Sequence, residues 1–566
     1  MRNRFVARKS LLVSTTVMAM ALSACGGPKG SADVAALEAA DAVYTNGKVV
    51  TVDGHSTIAQ AFAVKDGRFL AVGSSSDMQR HVGTNTRVVD LRNKTVIPGL
   101  ADGHLHDPGG GPGIDLSQAR SLAELFAKVS EAAAKARPGD VLVSNMDWHE
   151  AQLKEVRTPT QAELEKAAPG IPLVLVRGGH TYFLNTTALA KWNITPTTPV
   201  PPGGALPKDA SGALTGEVTG NAKALVKLPP PRPTTLADVK AKQRVLNSYG
   251  LTSVRIPGTD TEAYRQYQAV RDAGDASVRY SVLFWGHENS PASFEAAGIK
   301  QGEGDEWVKV WGIKLGVDGG FEGGLMSKPY AEPMGKNGTY FGLDRAPQDA
   351  FNKQAVAWNN AGWRVATHAV GDAGIDKTLE AYEAANASKD IRPAGWTIEH
   401  AFISRADQYP RMKALELRLS VQDHLYLAAP VLKKYWGAQR SSQVTPLNTY
   451  LDLGLVVAGG TDAPVIPVNP FWVMYHFITR DTMMDGIYGK NEAVAREDAL
   501  RLITINYARL TDEADIKGSI EPNKLADFVV LSDDLMTIPV EQIEDLKALA
   551  TFVGGKKVYE DESVEL

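Results

Sequence analysis

The chain has 566 residues, of which 44% are hydrophobic and 22% charged, an ordinary globular composition long enough for one large domain and a smaller one, or for two domains. Its 60 basic and 65 acidic side chains leave a formal charge of -5 and are interspersed, with no basic block to follow a phosphate backbone, which argues against nucleic acid as a partner. The single cysteine, Cys25, excludes an intrachain disulfide, and at its N-terminal position it is neither a metal ligand nor a nucleophile.

Arg2, Arg4, Arg8 and Lys9 precede an apolar run from Leu11 to Ala21, and Leu22-Ser23-Ala24-Cys25 follows. This is the pattern of an export signal, so residues 1–24 are read as a signal peptide and excluded from the fold. Leu-Ser-Ala-Cys resembles the bacterial lipobox, in which the cysteine is lipidated and begins the mature protein; the competing reading is cleavage after Ala24 beside an incidental cysteine. A lone cysteine at that spot favours lipidation at Cys25, with residues 25–40 as the linker of a lipid anchor. Gly26 after it favours the outer membrane of a Gram-negative host, with the protein facing the periplasm.

Residues 41–97 alternate short apolar runs with Asn46-Gly47 and Asp66-Gly67, each a type I′ hairpin signal. A like pattern returns in residues 516–566, where Ala526 to Leu531 and Ala550 to Val553 flank turns that include Gly554-Gly555. Both ends therefore predict one β-sandwich built from the two halves, with residues 98–515 inserted between them.

The middle alternates strand-like runs with helices. Ser121-Leu122-Ala123-Glu124 is a capping box that opens an alanine-rich helix ending before Pro138, and Asp349 to Gly362 reads as another capped helix. Eight candidate strands follow: Ile97 to His106, Leu251 to Ile256, Val278 to Trp285, Val308 to Asp318, Trp363 to His368, Trp396 to His400, Leu417 to Asp423 and Leu455 to Asp462. Their number and spacing predict an α/β fold, a (β/α)8 TIM barrel, with an insertion at about residues 140–245.

In such a barrel, catalytic groups sit at the C-terminal strand ends. The first run ends in His104 and His106, the fourth carries Lys314, and the fifth, sixth and eighth end in His368, His400 and Asp462. Residues i and i+2 of a strand share a face, so the first two imidazoles converge while Leu105 turns away. Imidazole and carboxylate suit first-row divalent ions such as zinc. Alternation turns Glu399 away from this set, and Asp372, after His368-Ala369-Val370-Gly371, is expected to be a helix N-cap.

These phrases, taken in order, resemble the amidohydrolase superfamily of metal-dependent hydrolases, in the branch that includes N-substituted formamide deformylase. The resemblance rests on Pro98-Gly99 before Asp102-Gly103-His104-Leu105-His106, Gly179-His180, Ile313-Lys314 with Asp318-Gly319, His368-Ala369-Val370-Gly371-Asp372, Ile398-Glu399-His400, Ser420-Val421-Gln422, Thr461-Asp462-Ala463-Pro464 and Lys524-Leu525-Ala526-Asp527. It implies hydrolysis of an amide-like carbon–nitrogen bond, of N-acyl, formamide or carbamate type, at two zinc ions. His104, His106 and Asp462 would hold the first ion and His368 and His400 the second, with Lys314 carboxylated by carbon dioxide as a bridge. Asp462 would also be the catalytic proton carrier. His180, Tyr182, Trp311 and Gln422 are candidate substrate contacts, His180 alternatively bracing the insertion. The chain departs from the usual pattern at Gly319-Gly320, Asp423-His424 and Thr181-Tyr182-Phe183. Aromatics near the expected mouth, Trp148, Tyr182, Phe183, Trp285, Trp311 and Tyr330, hint at a small-molecule substrate with an apolar or aromatic group. Two other readings stay open: an esterase, lactonase or phosphotriesterase on the same site, and a non-catalytic lipid-anchored binding protein. A homo-oligomer also stays open.

Overall fold

The computed structural model describes residues 38–564 except 110, 112, 179–180, 202–203, 230–233, 288 and 333–337. The expected signal peptide, Cys25 and His180 therefore lie outside the described residues. Two sheets near the chain ends enclose one apolar layer. The four-stranded sheet runs Arg68–Gly73, Ala61–Lys65, Ala42–Thr45, Arg87–Asp90; the six-stranded sheet runs Lys556–Glu560, Ala548–Val553, Phe528–Leu531, Thr95–Pro98, Lys48–Val50, Ile58–Ala59. The two ends of the chain meet directly, because Pro98, Ile97 and Val96 pair antiparallel with Phe528, Val529 and Val530. Stacked Phe528 and Phe552, with ring centroids 4.3 Å apart, and stacked Tyr44 and Phe62, 4.8 Å apart, fill the space between the sheets, burying large apolar area that offsets chain entropy.

Asp66 and Gly67, both at positive φ, close a hairpin in which Lys65 faces Arg68. Asn46-Gly47 does something else. Ala42–Thr45 belongs to the four-stranded sheet and Lys48–Val50 to the other, so the expected hairpin is a crossover between sheets. Asn46 adopts φ 55°, which supplies the bend, while each strand takes long-range partners that the local signal could not anticipate.

The eight expected barrel strands are present as one parallel sheet: Leu100–Asp102, Leu251–Thr259, Arg279–Trp285, Val308–Gly316, Val365–Ala369, Thr397–His400, Arg418–Gln422 and Val456–Gly460. Their near-continuous Val, Ile, Leu and Ala content suits strands covered on both faces. The expected first strand is divided: Thr95–Pro98 belongs to the sandwich, Leu100–Asp102 to the barrel, and 103–106 run beyond the last paired residue. Leu105 is fully buried in the main core, turned away as expected.

The seam between first and eighth strands closes through Gly103 N–H to Gly459 O (2.9 Å) and Asp462 N–H to His104 O (2.7 Å). The approach is so close that a Cβ at Gly460 would sit 2.5 Å from Asp102 Oδ1 and 2.8 Å from His104 N.

The insertion forms a five-stranded sheet, Gly204–Ala205, Glu217–Gly220, Thr181–Leu184, Leu173–Arg177 and Leu142–Val143, with helices Gln161–Ala167 and Thr186–Lys191. Ser121 caps Leu122–Lys135 by accepting from Glu124 N–H. The helix expected from Asp349 is Gln348–Asn360, which starts after Pro347 without a side-chain cap. Gly371, not Asp372, is the N-cap of Asp372–Ser388; the Asp372 carboxylate instead accepts from Ser327 N–H (2.8 Å) and pairs with Arg405 (3.1 Å).

Gly460→Ala should lower stability by about 1–3 kcal/mol through overpacking at the seam. Denaturant unfolding monitored by tryptophan fluorescence checks this; unchanged stability would mean that the seam relaxes freely.

Candidate metal centre

His104, His106, Lys314, His368, His400 and Asp462 all converge at the C-terminal mouth of the barrel. His106, Lys314, His368, His400 and Asp462 line one cavity of about 420 Å³, and His104 lies buried beneath them. Asp462 Oδ1 is 3.5 Å from His104 Nε2 and 3.3 Å from His106 Nε2. Lys314 Nζ is 3.3 Å from His104 Nε2. The His400 ring lies 4.7 Å from that of His104 and 4.4 Å from that of His368, between centroids. Among the described residues, His104, His400 and Asp462 offer ligand atoms within 4.8 Å of one another.

Partners behind the site determine which nitrogen of each ring carries its lone pair. Glu399 Oε2 accepts from His104 Nδ1 at 2.5 Å, and Gln422 Oε1 accepts from His400 Nδ1 at 2.7 Å while its own amide donates to Ser420 Oγ. Both imidazoles therefore keep Nε2 unprotonated. His368 Nε2 donates to Gly319 O (3.1 Å), which leaves Nδ1 as its lone pair. Glu399 is in turn held by Arg255 Nη1 (2.6 Å), whose guanidinium lies 4.1 Å over the Trp311 ring. Asp102 accepts from His104 N–H (2.9 Å) and Thr461 Oγ (2.6 Å), tying first and eighth strands together behind the ligands.

Glu399 thus corrects the expectation that it turns outward. His400 adopts φ 73° and Ala401 φ 46°, so the strand leaves regular pleating at His400 and consecutive side chains both face inward. Asp462 also has positive φ, 60°. Non-glycine residues in this region carry backbone strain that the surrounding structure must hold, a feature concentrated at functional sites.

Burial governs the charges. Desolvation, aided by the Lys314 charge, pushes the His104 imidazole down to about 3, and desolvation brings the Lys314 ammonium down to about 8. Burial opposes ionisation of Glu399 and Asp462 too, but Arg255 and His104 hold the former, and His104, His106 and His424 the latter, well below the usual carboxylate range. His368 and His400 are driven well below the usual imidazole value by burial and neighbouring positive groups. Neutral imidazoles around an ionised carboxylate are the protonation states that bind a divalent ion. The donor set fits such an ion closely: buried Asp462 Oδ1 has no hydrogen-bond partner and stands opposite the unprotonated His104 Nε2. Two facing lone pairs repel unless a cation lies between them.

The named substrate contacts are placed differently from one another. Gln422 is buried and positions His400. Trp311 is buried below the ligands, donating Nε1–H to Leu510 O (3.1 Å) under Arg255. Tyr182 packs in the insertion, with Lys223 Nζ 5.1 Å from its ring centroid. None of these three lines the cavity. Its apolar walls include Met146, Trp285, Phe321, Val370, Phe402 and Val465, so of the aromatics expected near the mouth only Trp285 reaches it. Asp423-His424 departs from the usual pattern in the sequence, but nothing in that departure indicates where His424 points. His424 lines the cavity, lies 3.0 Å by Nε2 from Asp462 Oδ2, and is wedged edge-on against Phe321 and Phe402.

The amidohydrolase family model matches residues 87–559. The chain is 29% identical over 545 residues to the Arabidopsis thaliana protein LONG AFTER FAR-RED 3, covering 92% of each chain. It is 27% identical over 547 residues to N-substituted formamide deformylase from Arthrobacter pascens, covering 92% of this chain and 98% of that one. An uncharacterised metal-dependent hydrolase from Pyrococcus horikoshii superposes with a TM-score of 0.68 at 23% identity, covering 88% of this chain and 99% of its own.

Glu399→Gln should weaken metal binding by about 10–100-fold, because the neutral amide neither enforces the His104 tautomer nor raises its basicity. Competition with a chelator of known affinity measures the change. Wild-type affinity in this variant would show that Glu399 does not act through His104.

Proposed function

The chain belongs to the amidohydrolase family, and from that premise we propose that it hydrolyses an amide-like carbon–nitrogen bond of a small molecule, of N-acyl, formamide or carbamate type. The observation that carries this reading is the buried pair of unprotonated His104 Nε2 and Asp462 Oδ1, the latter without a hydrogen-bond partner, with the more exposed His106 Nε2 beside them, at the floor of an apolar-walled cavity. His104, His106 and Asp462 would hold one ion, and His368 and His400 a second, with Lys314 carboxylated on Nζ between them; zinc suits this nitrogen and oxygen donor set. Lys314 supports its own modification, since an amine brought down to about 8 is partly unprotonated near neutrality and nucleophilic towards carbon dioxide. Bound divalent ions supply Lewis acidity, polarising a carbonyl and making water acidic enough to ionise near neutral pH.

The chain's own groups do the rest. Asp462 accepts the proton of the attacking water on its carboxylate and returns it to the departing nitrogen. His424 holds Asp462 Oδ2, so the carboxylate stays aimed while its other oxygen works. Phe321, Phe402 and Trp285 exclude bulk water and receive the apolar or aromatic part of the substrate, which strengthens every charge interaction inside. Export and lipid attachment at Cys25, with the protein on the periplasmic side of the outer membrane, complete the proposal; they rest on the N-terminal pattern alone.

Purified protein should contain stoichiometric divalent metal and cleave N-formyl or N-acyl arylalkylamines faster than matched esters. Asp462→Asn should lower kcat by about 10²–10⁴-fold, measured at matched metal content; full turnover would remove Asp462 as the proton carrier. His104→Ala should lose metal and activity together, read by elemental analysis and assay, and retention of both would dismiss this centre. After equilibration with ¹³C-bicarbonate, NMR should show a carbamate carbon that Lys314→Arg lacks; its absence from wild type would dismiss carboxylation.

A further inference from the structure

One cation on the cavity wall is not used by the hydrolytic machinery. Arg345 lines the cavity, between the fourth barrel strand and helix Gln348–Asn360, with its backbone N–H donated to Val317 O (3.1 Å). Among the described residues, no hydrogen bond or ion pair engages its guanidinium. The carboxylate whose charge acts on it, Asp318, is already occupied, accepting from the N–H groups of Leu325 (2.9 Å), Val370 (3.1 Å) and Gly371 (2.8 Å). The other arginine of the cavity, Arg177, is consumed by Glu150 and Glu322.

Gly316 shows where the free guanidinium can be reached. It lies two residues beyond Lys314, on the same face of the strand. A Cβ there would lie 3.6 Å from His368 Cβ, 3.8 Å from Arg345 Nη1 and 3.8 Å from His287 Nε2. With no side chain at Gly316, that space opens beside the metal centre, bordered by two nitrogen-bearing side chains and flanked by Trp285. Apart from the nearby charge of Asp318, whose oxygens are taken up by backbone N–H groups, the guanidinium makes no hydrogen bond or ion pair among the described residues, and metal cations collected beside it would repel it until an anion arrives. Its planar fork matches the two oxygens of a carboxylate, and its positive charge on the cavity wall favours entry of anionic over neutral molecules.

We propose that Arg345 is the specificity-determining residue of a carboxylate subsite over Gly316, and that the substrate is an amide carrying a carboxylate on an apolar or aromatic body. This rests on the hydrolytic reading above and adds to it the charge of the substrate. The scissile amide sits at the metal centre, the carboxylate on Arg345, and the apolar body against Trp285 and Phe321.

The test is calorimetric titration of the metal-loaded protein with 3-phenylpropionate and with its uncharged isostere, 3-phenylpropionamide. Wild type should bind the carboxylate about tenfold or more tightly than the amide. Arg345→Gln should bring the two within about twofold, and Arg345→Lys should fall between them because it keeps the charge and loses the fork. Equal binding of the two probes by wild type overturns the proposal. So does an undiminished preference in both variants, which would place the carboxylate on the metal centre instead. The kinetic arm compares N-formyl-phenylalanine with N-formyl-phenethylamine. Arg345-dependent carboxylate binding without hydrolysis of either would reject the hydrolytic reading and keep the subsite. Hydrolysis of the neutral amide with no Arg345-dependent preference would do the reverse.

Discussion

Everything at the mouth of this barrel depends on one buried ionic chain: Arg255 to Glu399 to His104. All three side chains are inaccessible to solvent, and an unpaired charge at that depth would cost several kcal/mol. The chain is tolerable because each member satisfies the next, Arg255 donating to one carboxylate oxygen and His104 Nδ1–H to the other. Its consequence reaches the surface of the cavity. With Nδ1 committed, His104 must present an unprotonated Nε2 towards Asp462, and the site becomes electron-rich before any ion arrives.

That preorganisation uses three different strands. Arg255 comes from the second, Glu399 from the sixth, and His104 from the run beyond the first, while Asp102 and Thr461 clamp the first strand to the eighth. Rigid parallel strands supply fixed anchor points, and irregular backbone at His400 and Asp462 re-aims the side chains that a regular pleat would misdirect. The division recurs around the cavity: the floor is ionic, the walls are apolar, and Arg345, near the charge of Asp318, makes no hydrogen bond or ion pair among the described residues. A site of that kind positions its ions through the fold and leaves its selectivity to the loops.

The candidate metal-binding set was legible because it follows strand-end chemistry. His104, His106, Lys314, His368, His400 and Asp462 interrupt runs otherwise made of Val, Ile, Leu, Ala and Gly, and such interruptions at or near the ends of five of the eight strands have few structural explanations. Other expectations failed where a local rule met a long-range partner. Asn46-Gly47 has the residues of a hairpin turn and links two sheets instead. Alternation counted from His400 turns Glu399 away, yet Glu399 pairs in register with the inward-facing His368, and the left-handed backbone at His400 brings the next side chain inward as well. Trp311 and Gln422 sit at suggestive positions, but the first packs under Arg255 and the second holds His400. His424 was visible as an unusual residue and gave no sign of its contact with Asp462, which lies 38 residues further along the chain.

The sequence by itself determined the architecture and the ligand types, because hydrophobic periodicity, turn residues and the chemistry of strand ends are properties of short stretches. It also carried the chain-end pattern that joins Thr95–Pro98 to Phe528–Leu531, since like apolar runs flanked by turns must find each other to be buried. Only the tertiary structure decided which nitrogen of each histidine is free, which of the expected aromatics reaches the cavity and which cavity arginine keeps its guanidinium out of hydrogen bonds with the described residues. Those properties belong to pairs of residues far apart in the chain, and they exist only once burial makes each charge depend on its nearest neighbour.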